Sequence, residues 1–181
     1  MRIAVFDGDP RGFGTPLDRA IVHFVAEAEA RGDSVERVNL RDHRFFQCVG
    51  CFDCWLRTPG RCRLRDDGDR LVAAIVDVDL LVFASPLIMG FTSALLKRAN
   101  DRLLPFLLPY IRVVDGECHH LMRYGHGLDL ALLLERGDAT DAELEATLAV
   151  YRRFVKNIDG KLAWVREAAE KEGGLRALDA A

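Results

Sequence analysis

The first apolar run, Ile3-Ala4-Val5-Phe6, is unbroken and ends abruptly at Asp7-Gly8-Asp9-Pro10. A continuous run of this length suits a strand covered on both faces, whereas alternation marks a strand with one wet face. A glycine-rich stretch follows. From Pro16 to about Arg31 apolar residues recur at Ala20, Ile21, Phe24, Val25 and Ala28, one stripe of a helix. Pro16 suits the first helical turn, where no N–H is needed, and Gly32 stops the helix. Residues 34–40 alternate imperfectly through Val35, Val38 and Leu40, as a second strand near a sheet edge would. Residues 66–76 read as a helix, 79–84 as another fully covered strand ended by Ser85-Pro86, and 92–104 as a helix. Two more strands, 110–114 and 128–134, flank an irregular insertion. Thr140-Asp141-Ala142-Glu143 has the form of a capping box for a helix to about Gly160, and a helical tail is expected after about Lys161.

Strand and helix in alternation predict an α/β fold: a doubly wound parallel sheet with helices on both faces, forming one domain over residues 1–181. Ligands of such sheets lie beyond the carboxyl ends of the strands, where the strand order reverses. Loop 7–15, a cysteine-rich loop at about 45–65 and loop 85–91 are all expected to converge on that edge.

Composition narrows the partners. With half its residues apolar, 29% charged and a net charge of −3, the chain has no electrostatic footprint for nucleic acid. Its longest apolar runs, such as 103–110, are too short to span a bilayer, and no signal peptide is expected at its start. Four of the five cysteines crowd into 48–62, a poor pattern for a disulfide framework. Clustered thiols point to metal, cluster or redox chemistry in a reducing compartment, so a cytoplasmic location is expected.

Two segments carry candidate chemistry. The stretch Gly8-Asp9-Pro10-Arg11-Gly12-Phe13-Gly14-Thr15 precedes a helix, where unpaired N–H groups favour a phosphate and Arg11 and Thr15 could add donors. It fits the dinucleotide fingerprint badly, since the third glycine position falls at Leu17. Asp9 argues for a plain connecting turn, because a carboxylate repels a phosphate. The second segment is Cys48-x-x-Cys51-x-x-Cys54 followed by Cys62. Four thiolates there suit an iron–sulfur cluster, a zinc site, or a loop of bare reduced thiols. Cys118 stands alone and is expected to be buried. Asp66 and Asp67 are expected to cap a helix, and Lys97 and Arg102 to lie at the surface or a subunit interface. His119, His120 and His126 are expected in an exposed loop, and no catalytic residue is assigned.

In this order and spacing, three motifs resemble the NAD(P)H-dependent FMN reductase and flavodoxin superfamily. They are Gly8-Asp-Pro-Arg…Gly14-Thr15, the cysteine motif through Asp66-Asp67, and Ser85-Pro86-Leu-Ile-Met-Gly90…Asp101-Arg102. They resemble most of all its iron–sulfur flavoproteins. The resemblance covers about residues 1–104 well. It implies a flavodoxin-like fold and an FMN phosphate near Pro10, Arg11, Gly14 and Thr15. The isoalloxazine would lie beside Ser85, Pro86, Leu87, Ile88, Met89 and Gly90, and a [4Fe–4S] cluster on Cys48, Cys51, Cys54 and Cys62. It also implies NAD(P)H or a protein as electron donor, a small-molecule or protein acceptor, and a homo-oligomer (dimer or tetramer). Three positions depart from the family pattern: Asp9 stands for serine, Pro16 for threonine, and Ile88 for an aromatic residue. The alternative is a flavin-free module of the same fold with a metal- or redox-sensing cysteine loop.

Overall fold

The computed structural model of the chain describes residues 1–168 and 175–178. Strand β1 (Arg2–Asp7) leads through the glycine-rich loop to helix α1 (Pro16–Ala30) and edge strand β2 (Ser34–Asn39). The cysteine segment holds one short helical turn, α2 (Asp53–Leu56), ahead of α3 (Gly68–Ala73). Then come β3 (Leu80–Ile88), β4 (Phe91–Thr92) and α4 (Ala94–Asp101). Strands β5 (Leu107–Val114) and β6 (Glu117–Met122) precede β7 (Asp129–Glu135), α5 (Asp141–Asn157), β8 (Leu162–Ala168) and β9 (Leu175–Leu178).

The main sheet runs β2-β1-β3-β7-β8-β9. Its first five strands are parallel, in the flavodoxin-like order, with the switch point between β1 and β3. Side chains alternate across the pleat, so one unbroken apolar run feeds two cores. Ala4, Phe6, Leu81, Phe83, Leu132 and Leu134 face α3, α4 and α5. Ile3, Val5, Val82, Ala84, Ala131 and Leu133 face α1 through Leu17, Ile21 and Phe24. Thr140 caps α5 in the expected capping box: its side chain accepts from the Glu143 N–H, and the Glu143 carboxylate accepts from the Thr140 N–H.

Several elements differ from the sequence expectation. β3 continues through Ser85-Pro86 to Ile88, because β1 ends opposite Ala84 and the missing proline N–H costs no bond on that side. Residues 107–114 leave the main sheet and pair antiparallel with 117–122, the supposed irregular insertion. Cys118 is accordingly exposed on the outer face of this ribbon, and His119, its neighbour on the other face, is buried. Residues 162–168 and 175–178 are strand, not helix. Val165 and Ala168 are buried in β8, which covers the otherwise open edge of β7, and β9 adds antiparallel beyond it. A ladder of backbone bonds outweighs the helix propensity of this Ala- and Glu-rich stretch. The remainder of the expected tail, 169–174 and 179–181, lies outside the described residues.

Candidate functional site

The switch point is built from two turns. After β1 the chain passes Gly8, whose N–H donates to the Ala84 carbonyl at 2.8 Å and whose carbonyl accepts from Ser93 Oγ at 2.6 Å. A Cβ at Gly8 would stand 2.6 Å from that of Leu96, so glycine is required by close packing on α4. Ser93 is also the N-cap of α4, and its N–H donates to buried Ser85 Oγ at 2.8 Å. The second turn, Met89-Gly90, joins β3 to β4 with φ of +52° and +75°, as a two-residue hairpin requires. It leaves Ile88 47% and Met89 98% exposed, apolar surface at the carboxyl edge of the sheet. Pro86 and Leu87 are buried beneath them.

The first loop brings Arg11 and Thr15 together as expected, around a carboxylate. Buried Asp9 accepts from the Arg11 N–H and Nε (each 2.9 Å), Arg11 Nη2 (2.8 Å) and Thr15 Oγ1 (2.8 Å). Glu135, at the end of β7, takes the other side of the guanidinium at 2.6 and 2.8 Å and also accepts from the Leu17 N–H. Asp18 accepts from the Gly14 N–H at 2.7 Å, and Thr15 Oγ1 caps α1 on the Asp18 N–H. Behind them Asp7 and Asp18 pair with Arg37, and Asp7 also with Arg41. Burial pushes the Asp9 carboxyl up, but the bonds from Arg11 and Thr15 outweigh it and hold it below the ordinary value, ionised. The bonds from Glu135 and Asp9 raise Arg11 in turn. Glu135, Asp18, Arg37 and Arg41 were not singled out from sequence. Glu135 was findable, as the first charge after the apolar run 130–134 and hence at a strand's carboxyl end.

The four cysteines line a single hollow with Asp101, Arg102, Leu104 and Pro105. Cys54 is buried and the other three are partly so. Burial, then the neighbouring Cys62, Cys48 and Cys51, push the Cys54 thiol up to about 11. Among the described residues no group of three or more His, Cys, Asp or Glu has the arrangement of a preformed metal site. Trp55 Nε1 donates to the Leu104 and Leu107 carbonyls, and Arg123 donates to those of Pro105, Leu107 and Cys54.

Arg102, expected at the surface, is 2% exposed. It forms a two-pronged pair with Asp66 at 2.7 and 2.8 Å and also donates to the Phe46 carbonyl. Asp66 accepts from Phe46 and from Gly68, the first residue of α3, while Asp67 holds the N-cap position with its side chain accepting from Arg44 instead of the helix. Both pin the chain entering the cysteine loop. That loop does not join the two turns of the switch point. Ser93 at one end of α4 bonds the first loop, whereas Asp101 and Arg102 at the other end border the thiols. Eight helical residues, about 12 Å, separate the two centres.

A family model described as NADPH-dependent FMN reductase matches residues 1–114, which include both switch-point turns and the cysteine loop. The chain belongs to the NADPH-dependent FMN reductase family. Within that family it is similar to an iron–sulfur flavoprotein of Methanocaldococcus jannaschii, 30% identical over 112 residues that cover 61% of this chain and 55% of the relative. An iron–sulfur flavoprotein of Archaeoglobus fulgidus is 33% identical over 102 residues, covering 55% of this chain and 44% of the relative. The chain thus spans about half the length of the curated relatives it matches. The solved NAD(P)H:quinone oxidoreductase of Methanothermobacter marburgensis shares the fold, with a TM-score of 0.68 at 14% identity, covering 95% of this chain and 86% of that one.

Proposed function

We propose that this member of the FMN reductase family is an oxidoreductase that holds a flavin at the β1/β3 switch point and accepts a hydride from NAD(P)H. Electrons would leave to a small molecule or a protein acceptor. The observation that carries this reading is the family match itself, whose span includes the Met89-Gly90 hairpin and its exposed Ile88 and Met89. When bound, a flavin supplies hydride acceptance and one- or two-electron transfer, and the protein supplies position and electrostatics.

The two ends of the site fit the family's cofactor unequally. At the ring end, Ile88 and Met89 offer apolar surface, and the turn is fixed from behind by Thr147 Oγ1 donating to the Gly90 carbonyl at 3.1 Å. Ser85 Oγ organises the α4 cap and is spent on it. At the phosphate end, Arg11 and Thr15 are committed to Asp9, so the polar donors expected there are already paired. FMN is the form that the family description names, and its ring end carries the proposal. The same Asp9 contacts favour the second reading, a flavin-free module of the same fold.

The donor set of the second centre fits a [4Fe–4S] cluster. Four soft thiol ligands border one hollow, and a cationic core would offset the burial and, after it, the neighbouring thiols that raise Cys54. Cys48, Cys51, Cys54 and Cys62 would hold it. This reading puts the chain in the cytoplasm, where thiols stay reduced. Among the described residues no helix is long and apolar enough to cross a membrane.

Anaerobically purified protein is expected to be coloured, to bind added flavin with quenching of its fluorescence, and to oxidise NADPH or NADH when a quinone or dye acceptor is supplied. Colourless protein that quenches neither FMN nor riboflavin would establish the second reading instead.

The proposal includes a homo-oligomer. Within the apolar stretch 103–110, which suits a subunit contact and core burial equally well, Leu103 and Phe106 are core residues. Exposed apolar surface lies at its end and just beyond, at Tyr110, Ile111 and Val113 of the β5–β6 ribbon, each more than half exposed. Light scattering at micromolar concentration should give a dimer or tetramer mass, reduced to the monomer by Ile111→Glu with Val113→Glu. A monomer mass for the unmodified chain removes the claim.

A further inference from the structure

We infer that the flavin site of this chain discriminates against a terminal phosphate, taking riboflavin at least as tightly as FMN. This rests on the flavin reading above and concerns the chemistry of the ligand's tail. A phosphate site at a helix N-terminus works because loop N–H groups, a hydroxyl and a guanidinium are left without acceptors until the anion arrives. Here the guanidinium, the hydroxyl and the N–H groups of Arg11, Gly14 and Leu17 have acceptors already. The Asp9 carboxylate is almost wholly buried and receives the backbone N–H, Nε and Nη2 of Arg11 together with the hydroxyl of Thr15. It thereby takes Arg11 and the Thr15 hydroxyl, the side-chain donors that a phosphate would use in this loop.

The surroundings reinforce the exclusion. Glu135 closes the far side of Arg11 and takes the Leu17 N–H, and Asp18 takes the Gly14 N–H. Pro16 removes one further N–H from the first turn of α1. The carboxylates of Asp7, Asp9, Asp18 and Glu135 hold the guanidiniums of Arg11, Arg37 and Arg41 in ion pairs. A dianion entering this network must break charge-assisted bonds and also sit beside the Asp9 and Glu135 carboxylates that hold Arg11. A hydroxyl at the end of a ribityl chain meets no such penalty, because it can donate to Glu135, whose Oε1 accepts a single bond, without displacing Arg11. The outward half of the site is unaffected, since Ile88 and Met89 lie on the other turn.

The test is parallel titration of riboflavin and FMN into the apoprotein, followed by flavin fluorescence, for the natural chain and for Asp9→Ser. The natural chain should bind riboflavin as tightly as FMN or more tightly, and inorganic phosphate should not weaken either. In Asp9→Ser, Arg11 and Thr15 are released, and FMN should gain about tenfold or more over riboflavin, the size of a charge-assisted phosphate contact. Glu135→Gln provides a second variant, expected to shift the ratio the same way by a smaller factor. If the natural chain binds FMN several-fold more tightly than riboflavin, the inference is overturned and the flavin reading stands. Equal binding that Asp9→Ser leaves unchanged overturns the role given to Asp9. Binding of neither flavin overturns the flavin reading, and this inference with it.

Discussion

Replacing Arg102 with leucine is expected to cost about 3–5 kcal/mol of stability, as measured by urea unfolding, the range for breaking one side of a buried ion pair. The guanidinium lies between Asp66 and the Phe46 carbonyl, with its side chain 1% exposed and that of Asp66 9%. Leucine would leave a carboxylate with no cation in a site closed to water, and would leave the Phe46 carbonyl without its Arg102 donor. Asp66→Asn should also destabilise, because the amide oxygen still accepts but the buried Arg102 guanidinium loses its counter-charge. The same pair sets a pH dependence. The hydrogen bonds from Arg102, the largest effect, hold the Asp66 carboxyl well below its ordinary range, against the opposing effect of burial. A depressed folded value means the contribution is fully present above the unfolded value, about 3.9, and is lost as pH falls toward the folded one. The stability gap between the natural chain and Asp66→Asn should therefore be constant from pH 7 to about 5 and shrink below pH 4. A gap that does not change with acid would show that Asp66 is not ionised in this pair. Because Arg102 and Asp66 border the cysteine segment, the leucine variant should also expose the four thiols to alkylation faster than the natural chain does.

Cys54→Ser is expected to abolish metal incorporation in protein made without oxygen and supplied with iron and sulfide. The natural chain should be brown and contain both elements. Serine at Cys48, Cys51 or Cys62 should lower iron as well, whereas Cys118→Ser should leave it unchanged, since Cys118 is exposed on the β5–β6 ribbon, away from the hollow. Cys54 should be the most sensitive position because it is the buried member of the set. A thiol pushed up to about 11 is protonated at neutral pH and gains most from a cation that lets it ionise. In metal-free protein the same property should make Cys54 the slowest of the five to alkylate and Cys118 among the fastest. Anaerobic protein without iron or sulfide would rule out the cluster, and a zinc assay on that sample would then separate zinc from bare thiols.

The inner strands, the capping box of α5 and the two loops of the switch point were legible along the chain because their causes are local. Unbroken apolar runs, a proline in a first turn, a capping box and glycines at positive φ are properties of neighbouring residues. The family resemblance was legible for the same reason, since each of its motifs is a short run. What the tertiary structure decided depends on residues far apart in sequence. Whether 162–168 becomes helix or strand turned on the open edge of β7, and whether Cys118 is buried turned on the pairing of 107–114 with 117–122. Arg102 reads as a surface residue until Asp66, thirty-six positions earlier, is brought against it. The cysteine loop was expected beside the switch point, and the length of α4 holds it at the other end of that helix. Asp9 was visible in the sequence as a discordant charge in a phosphate loop. Only the fold, by carrying Glu135 across 124 positions to Arg11, shows that charge built into a closed network of hydrogen bonds. Local rules assign a residue its backbone, but the partner of a buried charge is set by packing, because only in the folded chain does water leave and the charge need one.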